Sequence, residues 1–370
     1  MFFLISIKFY FSNQTEYLYK FNKFSSLIDL FNWIPSFLIF ITFQKYLENK
    51  EKREFFTKYL VAGLIPVLLS CILQDWFKIY GPRETLGGLI IWFNKPLGIN
   101  GGVTGLFSNQ NYTGFWLSVN LPFLYFLVQR IKKFNHKKFI LFIISILSIN
   151  FLILTNSRNA ILGFILSSVL ILGTKKFLIV FILFLISISL FSSLNTLLPK
   201  LNFNIIEQFL NRGLINKINL NLNTAINLME LTRVKIWANT INFIFQKPLF
   251  GFGASTFPIL YLSMQDNHIF SAQHSHNMPL QIAFEYGIPI AFFLTSFVIF
   301  LFCRAWHSIF KNNKNINLLN KCWIASCLVA ITSHLTDLTY YDGKIGILIW
   351  ILLTGLKCIM DNQREIVELN

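Results

Sequence analysis

The sequence predicts an all-α, polytopic integral membrane protein, and three observations carry that prediction. Apolar residues make up 54% of the 370 residues, aromatics 17% and charged residues only 13%, whereas soluble domains carry roughly a quarter charged. The 42 phenylalanines exceed what one soluble core of this size uses. The apolar residues also fall in blocks close to the ~20 residues a helix needs to cross a bilayer. Short charged stretches separate those blocks.

Taken in order, spans are expected at 27–43, 56–74, 113–130, 139–155, 159–173, 177–194, 278–302, 322–337 and 345–359. With short apolar blocks such as Phe2 to Phe11, this makes about 9–11 transmembrane helices. That first block has no basic n-region and no small-residue cleavage site, so it is not read as a removable signal peptide. Basic clusters mark one set of loops. Lys45, Lys50, Lys52, Arg53 and Lys58 lie between the first two spans, and Arg130, Lys132, Lys133, Lys137 and Lys138 precede the fourth. Lys175 and Lys176 precede the sixth, Arg304, Lys311, Lys314 and Lys321 follow the seventh, and Lys357 and Arg364 close the chain. The positive-inside rule makes these loops cytoplasmic. Segments 75–112, 155–158, 195–277 and 337–344 then face outward. The net charge of +16 therefore reflects topology and anionic lipid, and nucleic acid is not an expected partner. Cys71, Cys303, Cys322, Cys327 and Cys358 lie in spans or at cytoplasmic ends, without CxxC or metal-ligand spacing, and read as buried thiols. The chain is expected to be a single membrane domain over 1–370, with 195–277 as a large outer loop.

That loop is too long for a plain connector. It opens Asn-rich and amphipathic around Phe203 to Leu222. Leu231, Val234, Trp237, Ile241 and Ile244 follow at helical spacing, up to Lys247-Pro248. This predicts a helix on the membrane surface, with Arg233 and Lys235 at the rim of its apolar face, where they can meet lipid phosphates. Gly251-Phe-Gly253 reads as a turn. Arg158, in Thr155-Asn-Ser-Arg-Asn159, lies in a tight outer turn. It either snorkels to headgroups or meets a diphosphate, for which guanidinium geometry is suited. The Gly-rich stretch 101–112 reads as a loop with a helix N-cap.

His274-Ser-His-Asn277 stands just ahead of an apolar run. Asn277 can cap that helix and Pro279 suits its first turn. His276 then lies beside the positive end of the helix dipole, which disfavours the imidazolium. A neutral histidine can take a proton from an incoming hydroxyl, the general-base role; the alternative is a solvated interfacial histidine. A metal site is not expected, because two histidines at i, i+2 have no nearby carboxylate or cysteine except Asp266. Asp337, in His334-Leu-Thr-Asp337, shares a helix face with His334. It is either a hydrated helix-end carboxylate or one that steers an acceptor or supports a catalytic histidine. Asp342 is its rival.

These residues resemble a family. His276-Asn277, nine residues and Gly287 resemble the signature of bacterial O-antigen ligases and the related O-antigen polymerases, with Ile290 where a second glycine is usual. Thr155-Asn-Ser-Arg158 is similar to the family's Ser-Arg turn, and Arg233 with Trp237 to its Arg-x-x-x-Trp element. Gly105-Leu-Phe-Ser-Asn-Gln-Asn-Tyr112 resembles another recurrent element. The likeness covers about residues 60 to 358.

The resemblance implies a glycosyltransferase C-like helical bundle and a metal-independent, inverting glycan transfer on the outer face of the bacterial inner membrane. It implies an undecaprenyl-diphosphate-linked glycan as donor and lipid A-core, another lipid-linked glycan or a protein hydroxyl as acceptor, with no cofactor. His276 is the implied base, and Arg158 and Arg233 offset the diphosphate charge. His274, Asn277, Trp237 and Asp337 are the implied substrate-binding residues. All are expected to converge on one outer cavity. The same superfamily includes proteins proposed as bicarbonate carriers. A carrier places charges at mid-membrane, where only Asp29, Glu285 and Asp337 come close, so the enzyme reading is preferred.

Overall fold

A computed structural model of the chain describes residues 2, 4–6, 27–88, 90–98, 101–183, 186, 222–263, 272–310 and 317–368. The expected span at 177–194 lies largely outside these residues, as do the amphipathic segment 203–222, Asp266 and most of the Phe2–Phe11 block.

The fold is almost entirely helical. In chain order it runs α1 (Leu30–Thr42), α2 (Gln44–Leu47), α3 (Lys50–Ala62), α4 (Leu64–Asp75), β1 (Arg83–Thr85), β2 (Ile90–Trp92), α5 (Gln110–Arg130), α6 (His136–Leu154) and α7 (Arg158–Leu172). After these come α8 (Leu222–Gln246), α9 (Phe257–Ser263), α10 (Met278–Tyr286), α11 (Ile288–Phe310), α12 (Leu318–His334) and α13 (Gly343–Glu368). Residues 174–183 are also helical. Four stretches are long and apolar enough to cross a membrane: Lys50–Asp75, His136–Leu154, Ile288–Phe310 and Gly343–Asn362. On α6, Phe139, Ile140, Phe142, Ile143 and Ile146 are all exposed. Such a surface aggregates in water and is stable against lipid tails. The protein is a multi-pass membrane protein.

The chain forms two compact units. One comprises residues 57–226 and 317–329. Within it α5 packs against both α6 and α7. Phe123 meets Trp323 edge-on with centroids 5.1 Å apart, and Ser326 Oγ donates to the Val119 carbonyl at 2.8 Å. The outer loop here adds a two-stranded antiparallel hairpin in the register Arg83↔Trp92, Glu84↔Ile91, Thr85↔Ile90, which helical periodicity does not signal.

The other unit comprises residues 1–56, 227–316 and 330–370. Its core explains part of the phenylalanine content. Phe284 stacks on Phe252 at 5.2 Å and takes Phe257 edge-on at 4.9 Å. Trp33, Phe243, Tyr286 and Trp350 complete the cluster. The apolar run expected as one span at 278–302 is broken into α10 and α11 at Gly287. A Cβ there would lie 2.3 Å from the Leu249 carbonyl oxygen, and φ is +91°, a conformation essentially restricted to glycine. Ile288 N–H donates to the Pro248 carbonyl at 2.7 Å, so the break is paired with the turn that follows α8. Gly251, at φ +69°, faces the carbonyls of Phe284 and Glu285 equally closely. The two glycine turns interlock.

The expected helix in the outer insertion is present as α8. Val234 and Ile241 are exposed, while Thr240, Phe243 and Ile244 are buried. Hydropathy marks a residue as apolar without saying whether lipid or protein covers it.

Candidate active site

The histidine segment is a loop held from several sides. Asn277 caps α10 as its spacing predicts, its Oδ1 accepting from Leu280 N–H at 3.0 Å. Its Nδ2 donates to the Leu335 carbonyl at 2.9 Å, joining this loop to the one after α12. The Trp237 indole N–H on α8 donates to the Ser275 carbonyl at 2.9 Å. Ser275 N–H donates to Gln281 Oε1 at 2.8 Å, and Ser275 Oγ to the Asn277 carbonyl at 2.9 Å. These bonds over-determine a backbone in which His276 has φ +53°. A non-glycine residue there costs of order 1–3 kcal/mol and persists where the surroundings enforce it.

Within that loop the imidazoles of His274 and His276 lie 4.2 Å apart between centroids. His276 Nδ1 lies 3.0 Å from Asp337 Oδ1, with Asp337 buried and His276 partly open. Burial pushes the Asp337 carboxyl up. The His276 hydrogen bond, its charge and the Leu338 backbone N–H outweigh this and hold it below the ordinary carboxylate range. An ionised carboxylate only accepts, so Nδ1 is the donor, and in the neutral ring the lone pair is then on Nε2. His274 is pushed down to about 4 by burial and then by His276, against the pull of Asp337. It is neutral at neutral pH. Arg233 adds to that depression, so its guanidinium acts on His274.

The structure thus brings His274, His276, Asn277, Trp237 and Asp337 together, with Arg233 in electrostatic range. One expectation needs correction. Asp337 does not share a helix face with His334, because α12 ends at His334 and Asp337 N–H turns back onto the Ser333 carbonyl at 2.9 Å. His334 faces elsewhere, its Nδ1 donating to the Ala330 carbonyl at 2.8 Å. Asp342, the rival carboxylate, caps the start of α13 through the N–H groups of Lys344 and Ile345 and pairs with Lys344 Nζ at 3.4 Å.

The sequence reading missed a supporting layer. Glu285 is buried, and its Oε1 accepts from Gln281 Nε2 and Tyr341 Oη, both at 2.9 Å. Gln281 thereby links Glu285 to the Ser275 backbone. The signal was present as i, i+4 spacing on α10, from Asn277 to Gln281 to Glu285. It places Glu285 in a hydrogen-bonded cradle under the histidine loop.

Arg158 belongs to the other unit. It is exposed as the first residue of α7, after Asn156 at φ +57° and the N-cap Ser157. The Gly-rich stretch packs against this turn. Val103 N–H donates to the Leu154 carbonyl at 3.0 Å, a Cβ on Gly102 would lie 1.9 Å from the Thr155 oxygen, and one on Gly114 would lie 2.9 Å from Ser157. Asn109 caps α5.

Residues 143–295 match the family model described as O-antigen ligase. Over that segment the chain is similar to O-antigen ligases. The matched segment contains Arg158, Arg233, Trp237, His274, His276, Asn277 and Gly287, whereas Asp337 lies beyond it. No curated protein matches the chain.

Proposed function

We propose that this O-antigen ligase family protein transfers a glycan from undecaprenyl diphosphate to an acceptor hydroxyl on the outer face of the inner membrane. The observation that supports this best is the 3.0 Å contact between His276 Nδ1 and a buried Asp337 carboxylate, which leaves Nε2 as a base on the partly open side. Acceptor O–H gives its proton to Nε2 as its oxygen attacks the anomeric carbon from the face opposite the diphosphate. The glycosidic C–O bond breaks, the configuration inverts, and the lipid diphosphate leaves with the electron pair. Asp337 fixes the ring and stabilises the imidazolium that forms. Arg233 offsets the growing diphosphate charge, and Arg158 is assigned the same role on its resemblance to the family turn. Trp237 acts through the loop it holds, since its N–H is engaged by Ser275. The residues named need no metal for this route.

Glycan profiling of a deletion strain tests the reading. Free lipid A-core, together with accumulated undecaprenyl-linked polymer, identifies a ligase. Very short chains identify the related polymerase. Unchanged glycan with impaired carbon uptake contradicts glycan transfer altogether.

A further inference from the structure

The sequence argued against a metal because the histidine pair has no carboxylate close by in the chain. The fold supplies one. His274, His276 and Asp337 each offer a ligand atom, and these atoms all lie within 4.8 Å of one another. His276 Nδ1 and Asp337 Oδ1 are 3.0 Å apart. That is close to the separation of neighbouring ligands around a cation with bonds of about 2.0–2.2 Å.

We propose that His274, His276 and Asp337 bind a divalent cation of the zinc class, and that the bound cation switches the transfer off. Two imidazoles and one carboxylate suit zinc and its neighbours, whereas magnesium and calcium favour oxygen-only shells. Three protein ligands leave a fourth position for water.

Inhibition follows from the tautomers. A cation on His276 Nε2 takes the lone pair that accepts the acceptor's proton. A cation on Nδ1 displaces the proton held there, which passes through solvent to Nε2, so the neutral ring carries its one N–H on Nε2. In both cases no basic nitrogen faces the acceptor. Arg233, whose charge reaches His274, tempers the affinity and makes the site reversible. The inhibitory half rests on the proposed transfer; the binding half does not.

The test is calorimetric titration of the purified full chain in detergent with zinc chloride, alongside transfer assays with and without a chelator. One equivalent of zinc is expected to bind, and His274→Ala and Asp337→Asn should each weaken it at least tenfold. His136→Ala and His307→Ala should leave binding unchanged. Cobalt(II) bound to the unmutated protein gives a readout independent of variant folding: nitrogen and oxygen ligation is expected. A thiolate-to-cobalt charge-transfer band would place the metal at a cysteine and overturn the site. Absence of stoichiometric binding, or binding indifferent to both variants, would do the same. Zinc is expected to suppress transfer at least tenfold and the chelator to restore it. Zinc that binds at the three residues yet leaves transfer unchanged, or raises it, overturns the switch and leaves the site.

Discussion

Asp337 acts on His276 through one 3.0 Å hydrogen bond, which fixes which nitrogen is basic. Asp337→Asn keeps the shape but presents an amide that can donate to Nδ1, favouring the wrong tautomer. Transfer is expected to fall by roughly 10²–10⁴-fold, measured as turnover of purified protein, while Asp342→Asn keeps the helix cap, loses the ion pair with Lys344 and retains transfer. Arg233→Lys should fail to rescue what Arg233→Ala loses, since a guanidinium bridges two phosphate oxygens in a plane and an ammonium is a point charge. Donor affinity for a lipid diphosphate checks this, and a fully active lysine variant would reduce Arg233 to a generic cation. The depressed His274 makes a pH prediction. Between its ordinary value of 6.5 and its folded value of about 4, the unfolded state binds the proton and the native state does not. His274 therefore stabilises the fold fully above 6.5 and progressively less toward 4. A His274→Gln variant should show a shallower loss of thermal stability across that window.

Among the elements, the helices were legible wherever their polar boundaries were local. Asn109, Asn135 and Ser157 cap α5, α6 and α7, close to the starts the sequence predicts. The break at Gly287 was not legible, because the reason for it is a backbone contact with Leu249 made by a segment far back in the chain. Nor does hydropathy separate the two fates of α8 side chains: Val234 and Ile244 are similarly apolar, yet one is exposed and the other buried against protein. Within the site, His276 and Asn277 could be read from local spacing. The bond to Asp337, 61 residues away, and the cradle of Gln281, Glu285 and Tyr341 needed the fold. Gly287→Ala tests the interlocked turns. A φ of +91° and a 2.3 Å backbone approach together should destabilise by at least ~1–3 kcal/mol. The expected outcome is a lower midpoint and lower yield in detergent, whereas Gly173→Ala, whose Cβ meets nothing within 4 Å, should cost less.

Across the whole molecule, lipid-facing helices hold the polar loops to which the proposed chemistry is assigned. The strain at His276 is sustained by bonds from α8, α10 and the loop after α12. The exposed apolar faces suit a bilayer, where the proposed donor would also reside. This account predicts that the membrane portion folds without the base. The measurement that bears most directly on the central claim is transfer by purified His276→Ala protein, supplied with an undecaprenyl-diphosphate-linked glycan and lipid A-core or a second lipid-linked glycan. The account predicts a protein with unchanged thermal midpoint, and product formation reduced by roughly 10²–10⁴-fold. Near-normal product formation by that variant would contradict it.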